Sequence, residues 1–142
     1  MRTIKFRGKR VDNGEWEEGF VIEYEYGTAI LNINSLYHVD GAEWNFNDIQ
    51  VIPETVGQFT GLTDKNGKDI WEGDILARCF EDYNENCEVY YHKGVLSARA
   101  IVSNVFRPLN TMDGYGWCRV DCGSHYYDFR VIGNIHDNPE LL

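Results

Sequence analysis

Leu62-Thr63-Asp64-Lys65-Asn66-Gly67-Lys68-Asp69-Ile70-Trp71-Glu72-Gly73-Asp74-Ile75 is the stretch that decides the fold. Alternating residues flank Asn66-Gly67 on both sides, the pattern of two strands joined by a tight turn. A two-residue turn would oppose Lys65 to Lys68 and Asp64 to Asp69, and like charges facing each other are unfavourable. A three-residue loop pairs Asp64 with Lys68 and Leu62 with Ile70, with Gly67 at positive φ. That register puts Leu62, Ile70 and, in the next strand, Ile75 inside, and leaves Lys65, Asn66 and Lys68 outside. Before that next strand, Gly73 permits a bend, and the Asp74 carboxylate is placed to accept a backbone N–H.

The same turn chemistry recurs upstream. Residues 3–10 alternate, with Ile4, Phe6 and Gly8 on one side and Thr3, Lys5, Arg7 and Lys9 on the other. After Asp12-Asn13-Gly14, a second run sets Trp16, Glu18, Phe20, Ile22 and Tyr24 on one face. A three-residue loop pairs Phe6 with Phe20, Ile4 with Ile22 and Lys9 with Glu17, so both apolar faces are expected inside, with Gly14 at positive φ beside a bulge.

Further along, residues 28–33 and 36–39 read as short strands, and 42–49 as a stretch that can include a helical turn. Residues 51–53 read as an edge segment, since Pro53 cannot donate to a ladder. Strands are expected over 75–80, 87–92, 100–106, 116–120 and 126–135, with polar loops over 81–86 and 107–116. Asn138-Pro139-Glu140 reads as an N-cap followed by proline at the first helical position, opening a single turn. The expected fold class is mainly β: small twisted antiparallel sheets, or an SH3-like, partly open barrel, with hairpins and very little helix. Glu72-Gly73-Asp74-Ile75 resembles the turn that opens a strand in such barrels. The 142 residues suit a single domain, divisible into an N-terminal β lobe of residues 1–54 and a barrel-like lobe of residues 55–142.

Composition narrows the function. Apolar residues are 43% of the chain, enough for a core, and 14 glycines against 3 prolines supply many turns. A net charge of −10 argues against a wholly basic nucleic-acid binder. It favours a well-solvated surface over mimicry of DNA by acidic side chains. No apolar run reaches the length of a membrane span, and the basic opening from Arg2 to Arg7 has no apolar signal core behind it. The four cysteines suit reduced thiols in a cytoplasm.

Three blocks resemble the YopX-like family of phage and prophage proteins. They are residues 5–10 with Gly14-Glu15-Trp16, residues 55–75, and residues 131–142. The middle block, Thr55-Val56-Gly57-Gln58-Phe59-Thr60-Gly61 continuing through Ile75, is the most specific; Trp71 stands where the family typically has tyrosine. The resemblance implies a mainly β protein and no established activity, so no catalytic residue carries over.

Residues 64–75 have acids at calcium-like spacing, but Lys68, Asp69 and Ile75 occupy positions where an EF-hand needs a side-chain oxygen, glycine and glutamate. Cys118-Arg119-Val120-Asp121-Cys122 and His125, with Cys79 and Cys87, offer zinc-type ligands without the usual short knuckle; buried thiols are the expected state. No nucleophile elbow, phosphate loop or dinucleotide fingerprint occurs. The chain is therefore expected to act by binding, without catalytic residues, cofactor or metal. Trp71, Glu72 and Asp74, flanking the Gly73 bend, are the candidate contact surface. The expected partners are a second copy and a host or phage protein, with no membrane. The alternative is a single-stranded nucleic-acid binder using aromatic platforms and the strip Arg2, Lys5, Arg7, Lys9 and Arg10, although the acids of residues 12–25 partly neutralise that strip. A small hydrolase is the third reading.

Overall fold

The structure, a computed structural model, describes residues 3–32, 37–39, 43–45, 48–80, 83–101, 106–108, 110–111, 118–121 and 126–142. The expected β class is what forms. The chain divides into two compact units, Met1–Gln58 and Phe59–Leu142, with the boundary inside one strand.

In the first unit, β1 (Phe6–Lys9), β2 (Trp16–Tyr24), β3 (Gly27–Leu31) and β6 (Asp48–Val51) form an antiparallel sheet in the order β6-β3-β2-β1. The start of β7 (Gly57–Thr63) pairs beside β1, with Arg7 opposite Gly57 and Phe6 opposite Gln58. Two further short strands, β4 (Tyr37–Val39) and β5 (Glu43–Asn45), pair with each other. The stretch 42–49 thus contributes strand where a helical turn was open; Ala42, Phe46 and Asn47 lie outside the described residues, as does Leu36. The end of β1 returns to β6 through a bridge from Arg10 to Val51, with Val11 N–H donating to Gln50 and Ile52 N–H to Lys9. Among the described residues, that single tie does not close the sheet into a barrel.

The first hairpin departs from the expected register by one residue. Phe6 faces Gly19, Gly8 faces Glu17 and Lys9 faces Trp16. Residues 11–14 make the loop, with Gly14 at φ +72 and its N–H donating to the Arg10 carbonyl. The slip exchanges the faces of β2, because the side-chain period is two. Its physical reason lies in the interior. Gly8 packs against Val51, where a Cβ would come within 3.0 Å of that side chain. Gly19 lies so close to β3 that a Cβ would stand 2.0 Å from the Leu31 carbonyl oxygen. The inner face needs small residues at these points, and Phe20 does not fit there. Thr55, buried after β6 in a 3-10 turn (Pro53–Thr55), accepts the Lys9 N–H on its hydroxyl at 2.8 Å.

In the second unit, the rest of β7 pairs with β8 (Asp69–Trp71). A sheet runs in the order β12-β11-β10-β9-β15-β14-β13. Its strands are β9 (Asp74–Phe80), β10 (Tyr83–His92), β11 (Val95–Ala100), β12 (Phe106–Pro108), β13 (Asn110–Thr111), β14 (Cys118–Asp121) and β15 (Tyr126–Asn134). Ile70, Leu76, Cys87, Val89, Ala98, Ala100 and Phe129 form the core, with Leu62, Leu96 and Val131 packed against it. The expected loop over 81–86 is mostly strand, since Tyr83 to Asn86 pair with β9. The expected strand over 100–106 is divided between β11 and β12, and residues 102–105 lie outside the described set. The expected loop over 107–116 includes strand at Asn110–Thr111, and most of the remainder lies outside the described residues.

The second hairpin has the expected tip. Thr63 faces Asp69, Asp64 N–H donates to the Lys68 carbonyl, and Gly67 sits at φ +80. Ile70 and Ile75 are fully buried, Leu62 is half-buried, and Lys65, Asn66 and Lys68 are exposed. The register then shifts before Phe59 meets Trp71. Gly61 turns at φ +81 there, and the Thr60 hydroxyl donates to the Ile70 carbonyl at 2.7 Å. Lys65 is exposed and makes no ion pair among the described residues, so Lys65→Ala should change stability by under about 0.5 kcal/mol in thermal melts.

The last segment is held by asparagines. Asn134 Oδ1 accepts the N–H groups of His136 and Asp137, and Asn138 Oδ1 accepts that of Asn134. The expected single turn forms as a 3-10 turn (Pro139–Leu141), but the Asn138 side chain points back to Asn134 and does not cap it.

Candidate contact surfaces

Trp71, Glu72 and Asp74 surround the bend between β8 and β9. Gly73 makes that bend at φ +85, and its N–H donates to the Val89 carbonyl. The Asp74 carboxylate accepts the Trp71 N–H at 2.8 Å, the bond that the sequence suggested for it. Trp71 packs on Phe59 with ring centroids 5.2 Å apart. The consequence is burial: Trp71 is 3% exposed and Asp74 1%. As folded, these two side chains build the bend and offer a partner almost no surface; Glu72 is the partly exposed member.

A different surface stands out in the first unit. Phe20, Ile22 and Tyr24 follow one another on the outer face of β2 and are 52%, 39% and 36% exposed. Beside them on β3, Leu31, paired with Phe20, is half-buried, while Ala29, paired with Ile22, is fully buried. Trp16 continues the row at the start of β2. The neighbouring row carries Lys5, Arg7 and Lys9. Lys5 reaches Glu18 at 3.2 Å, and the Arg7 guanidinium lies 4.6 Å from the centre of the Trp16 ring. On the opposite flank, β6 contributes Asp48 and Gln50, whose amide donates to the Tyr24 hydroxyl at 3.0 Å. The sequence reading missed this surface because it turned the apolar face of β2 inward. The available signal was the pair Gly8 and Gly19, which marks the opposite face as the crowded one.

A shallow hollow at the end of the same sheet is lined by Arg10, Val11, Asp12, Asp48, Ile49 and Gln50. Arg10 donates two hydrogen bonds to Asp12, and those bonds hold the Asp12 carboxyl below its ordinary range. The hollow's strongest charges are therefore already matched to each other.

Among the described residues, no group of three His, Cys, Asp or Glu side chains could hold a metal ion. Cys87 is buried and forms no disulfide among the described residues; Cys122 and His125 lie outside the described residues, as does Arg2. No helix among the described residues is long and apolar enough to cross a membrane.

Comparison with known proteins places this architecture. The structure resembles that of protein EF1440 from Enterococcus faecalis, with a TM-score of 0.60 and 24% sequence identity over 100% of this chain and 99% of that one. This likeness is one of fold. No curated protein matches the chain. The family profile described as YopX protein matches residues 5–142, and over that nearly complete length the chain belongs to the YopX family.

Proposed function

We propose that this protein acts by binding, without catalysis of its own, and that it pairs with a second copy through the outer face of its first sheet. Its setting on this reading is the cytoplasm of a bacterium carrying a phage or prophage, where it serves as an accessory protein with a host or phage protein as a further partner. The observation that carries the reading is the row Phe20, Ile22 and Tyr24, left in water on the face where an antiparallel sheet ordinarily shows polar residues. A contiguous apolar patch of this kind is characteristic of interaction surfaces.

Charge favours a second copy as the occupant. A half-turn about an axis parallel to β2 sets β2 over its counterpart. The row Lys5, Arg7 and Lys9 of each copy then lies over the other's β3–β6 flank, where Asp48 stands. Such an isologous contact buries the apolar row and opposes unlike charges at both margins. A nucleic acid is less favoured, because Lys5 is already matched by Glu18 and the chain as a whole is strongly acidic. The family and fold likenesses carry no catalytic assignment.

Light scattering coupled to gel filtration, run across a concentration series, tests this. The wild type is expected to elute as a dimer. Phe20→Ser and Ile22→Thr should each weaken association by roughly tenfold or more, with the far-ultraviolet spectrum unchanged. A wild type that stays monomeric throughout would overturn the pairing. If that monomer bound a labelled single-stranded oligonucleotide in a salt-dependent way, the nucleic-acid reading would replace it.

A further inference from the structure

The two hairpin tips both carry Asn-Gly, and the structure treats the two asparagines differently. At the first tip, Asn13 Oδ1 accepts the Glu15 N–H at 2.9 Å and its Nδ2 donates to the Glu15 carboxylate at 3.1 Å. That side-chain amide is held at both ends. At the second tip, Asn66 is exposed and its side-chain amide makes no hydrogen bond among the described residues. The loop is held by Asp64 instead, whose carboxylate accepts the N–H groups of Asn66 and Lys68. The following glycine amides are restrained alike, Gly14 N–H by the Arg10 carbonyl at 3.1 Å and Gly67 N–H by the Asp64 carbonyl at 3.0 Å. The difference between the sites therefore lies in the asparagine side chains.

We propose that Asn66 is a site of spontaneous covalent modification, deamidating through a succinimide, and that Asn13 is protected from the same reaction by Glu15. Solvent hydroxide takes the Gly67 amide proton, and the amide nitrogen attacks Asn66 Cγ. A C–N bond forms, the bond from Cγ to Nδ2 breaks, and that nitrogen leaves as ammonia. Water then opens the five-membered ring at either carbonyl, giving aspartate or isoaspartate. One water is consumed, one ammonia is released, and nothing is oxidised or reduced. Because Asn66 holds no part of the loop through its side chain, conversion to aspartate leaves the hairpin bonds in place. The new carboxylate stands between Lys65 and Lys68, which are both exposed and have no ion-pair partner among the described residues. The exposed residues 65–68 thereby pass, slowly and in one direction, from two positive charges to a mixed set.

Peptide mapping by mass spectrometry of the full chain in mildly alkaline buffer tests the proposal, with the urea-unfolded chain as reference. The unfolded chain should convert both asparagines at similar rates. The folded chain should convert Asn66 several-fold faster than Asn13, and Glu15→Ala should bring Asn13 up toward the Asn66 rate. Asn66→Gln should suppress the charge change with an unaltered melting temperature. Equal rates at the two sites in the folded wild type would overturn the proposal. So would an Asn66 that stays intact while the unfolded chain converts.

Discussion

Gly19→Ala is expected to destabilise the first unit by about 3 kcal/mol, at the upper end for overpacking, and to lower its melting transition by on the order of 10 °C. The added methyl would sit 2.0 Å from the Leu31 carbonyl oxygen, 2.7 Å from the Leu31 carbonyl carbon and 3.0 Å from an Ile30 methyl. Two of these atoms are backbone, so the strand pair β2–β3 has to separate, and a side-chain rotation cannot relieve the contact. Gly19 is not at positive φ, so the whole cost is steric. Gly94→Ala is the matching control. Gly94 has φ +79 with nothing near the added methyl, and its penalty is conformational, about 1 kcal/mol. Calorimetry ranking Gly94→Ala as the more damaging change would contradict the close approach of β2 to β3.

Asp64→Ala is expected to cost about 4 kcal/mol. Its buried carboxylate accepts three backbone N–H groups, from Asn66 at 2.8 Å, Lys68 at 2.9 Å and Val131 at 2.9 Å. The two tip amides can recover water when the side chain is removed. The Val131 amide, half-buried on β15, is left unsatisfied, and such a group costs on the order of 1–3 kcal/mol by itself. Asp64→Asn separates shape from chemistry. It keeps the volume, but one of the two positions that accept an N–H becomes an NH2 donor, so a large part of the loss should remain. Hydrogen exchange at the Val131 amide should accelerate in both variants. Stability within about 0.5 kcal/mol of wild type for Asp64→Ala would show that the carboxylate does not anchor this hairpin.

Much of the second hairpin was legible because charge and pattern agree. Lysine facing lysine excluded the two-residue turn, and the three-residue loop followed. The shift beyond Thr63 was not legible, since it depends on where the Thr60 hydroxyl finds an acceptor in three dimensions. In the first hairpin the two sources conflict. Pattern sends Phe20 and Ile22 inward, whereas close backbone approach at Gly8 and Gly19 sends them outward, and sterics outweigh burial. Burial at the Gly73 bend was not legible from residue type. Trp71 and Asp74 read as polar or amphipathic residues beside a bend, yet the bend is made by burying them. The strand over Tyr83–Asn86 shows tertiary override of propensity, because pairing with β9 recruits residues whose composition suggests a loop.

The place of β15 in the second sheet bears on how the protein is made. The first unit takes its last pairing from Gly57 and Gln58, so it can close while the rest of the chain is still being translated. The second unit cannot. β15 lies between β9 and β14, and it supplies both the Val131 amide that Asp64 binds and the Phe129 carbonyl that takes the Lys65 N–H. Until residues 126–134 leave the ribosome, β9 has an unpaired edge and Ile70, Leu76 and Val89 lack Phe129 above them. A nascent chain stalled before that point therefore carries one finished unit and one open, adhesive sheet, the form most exposed to misassembly and to chaperone capture.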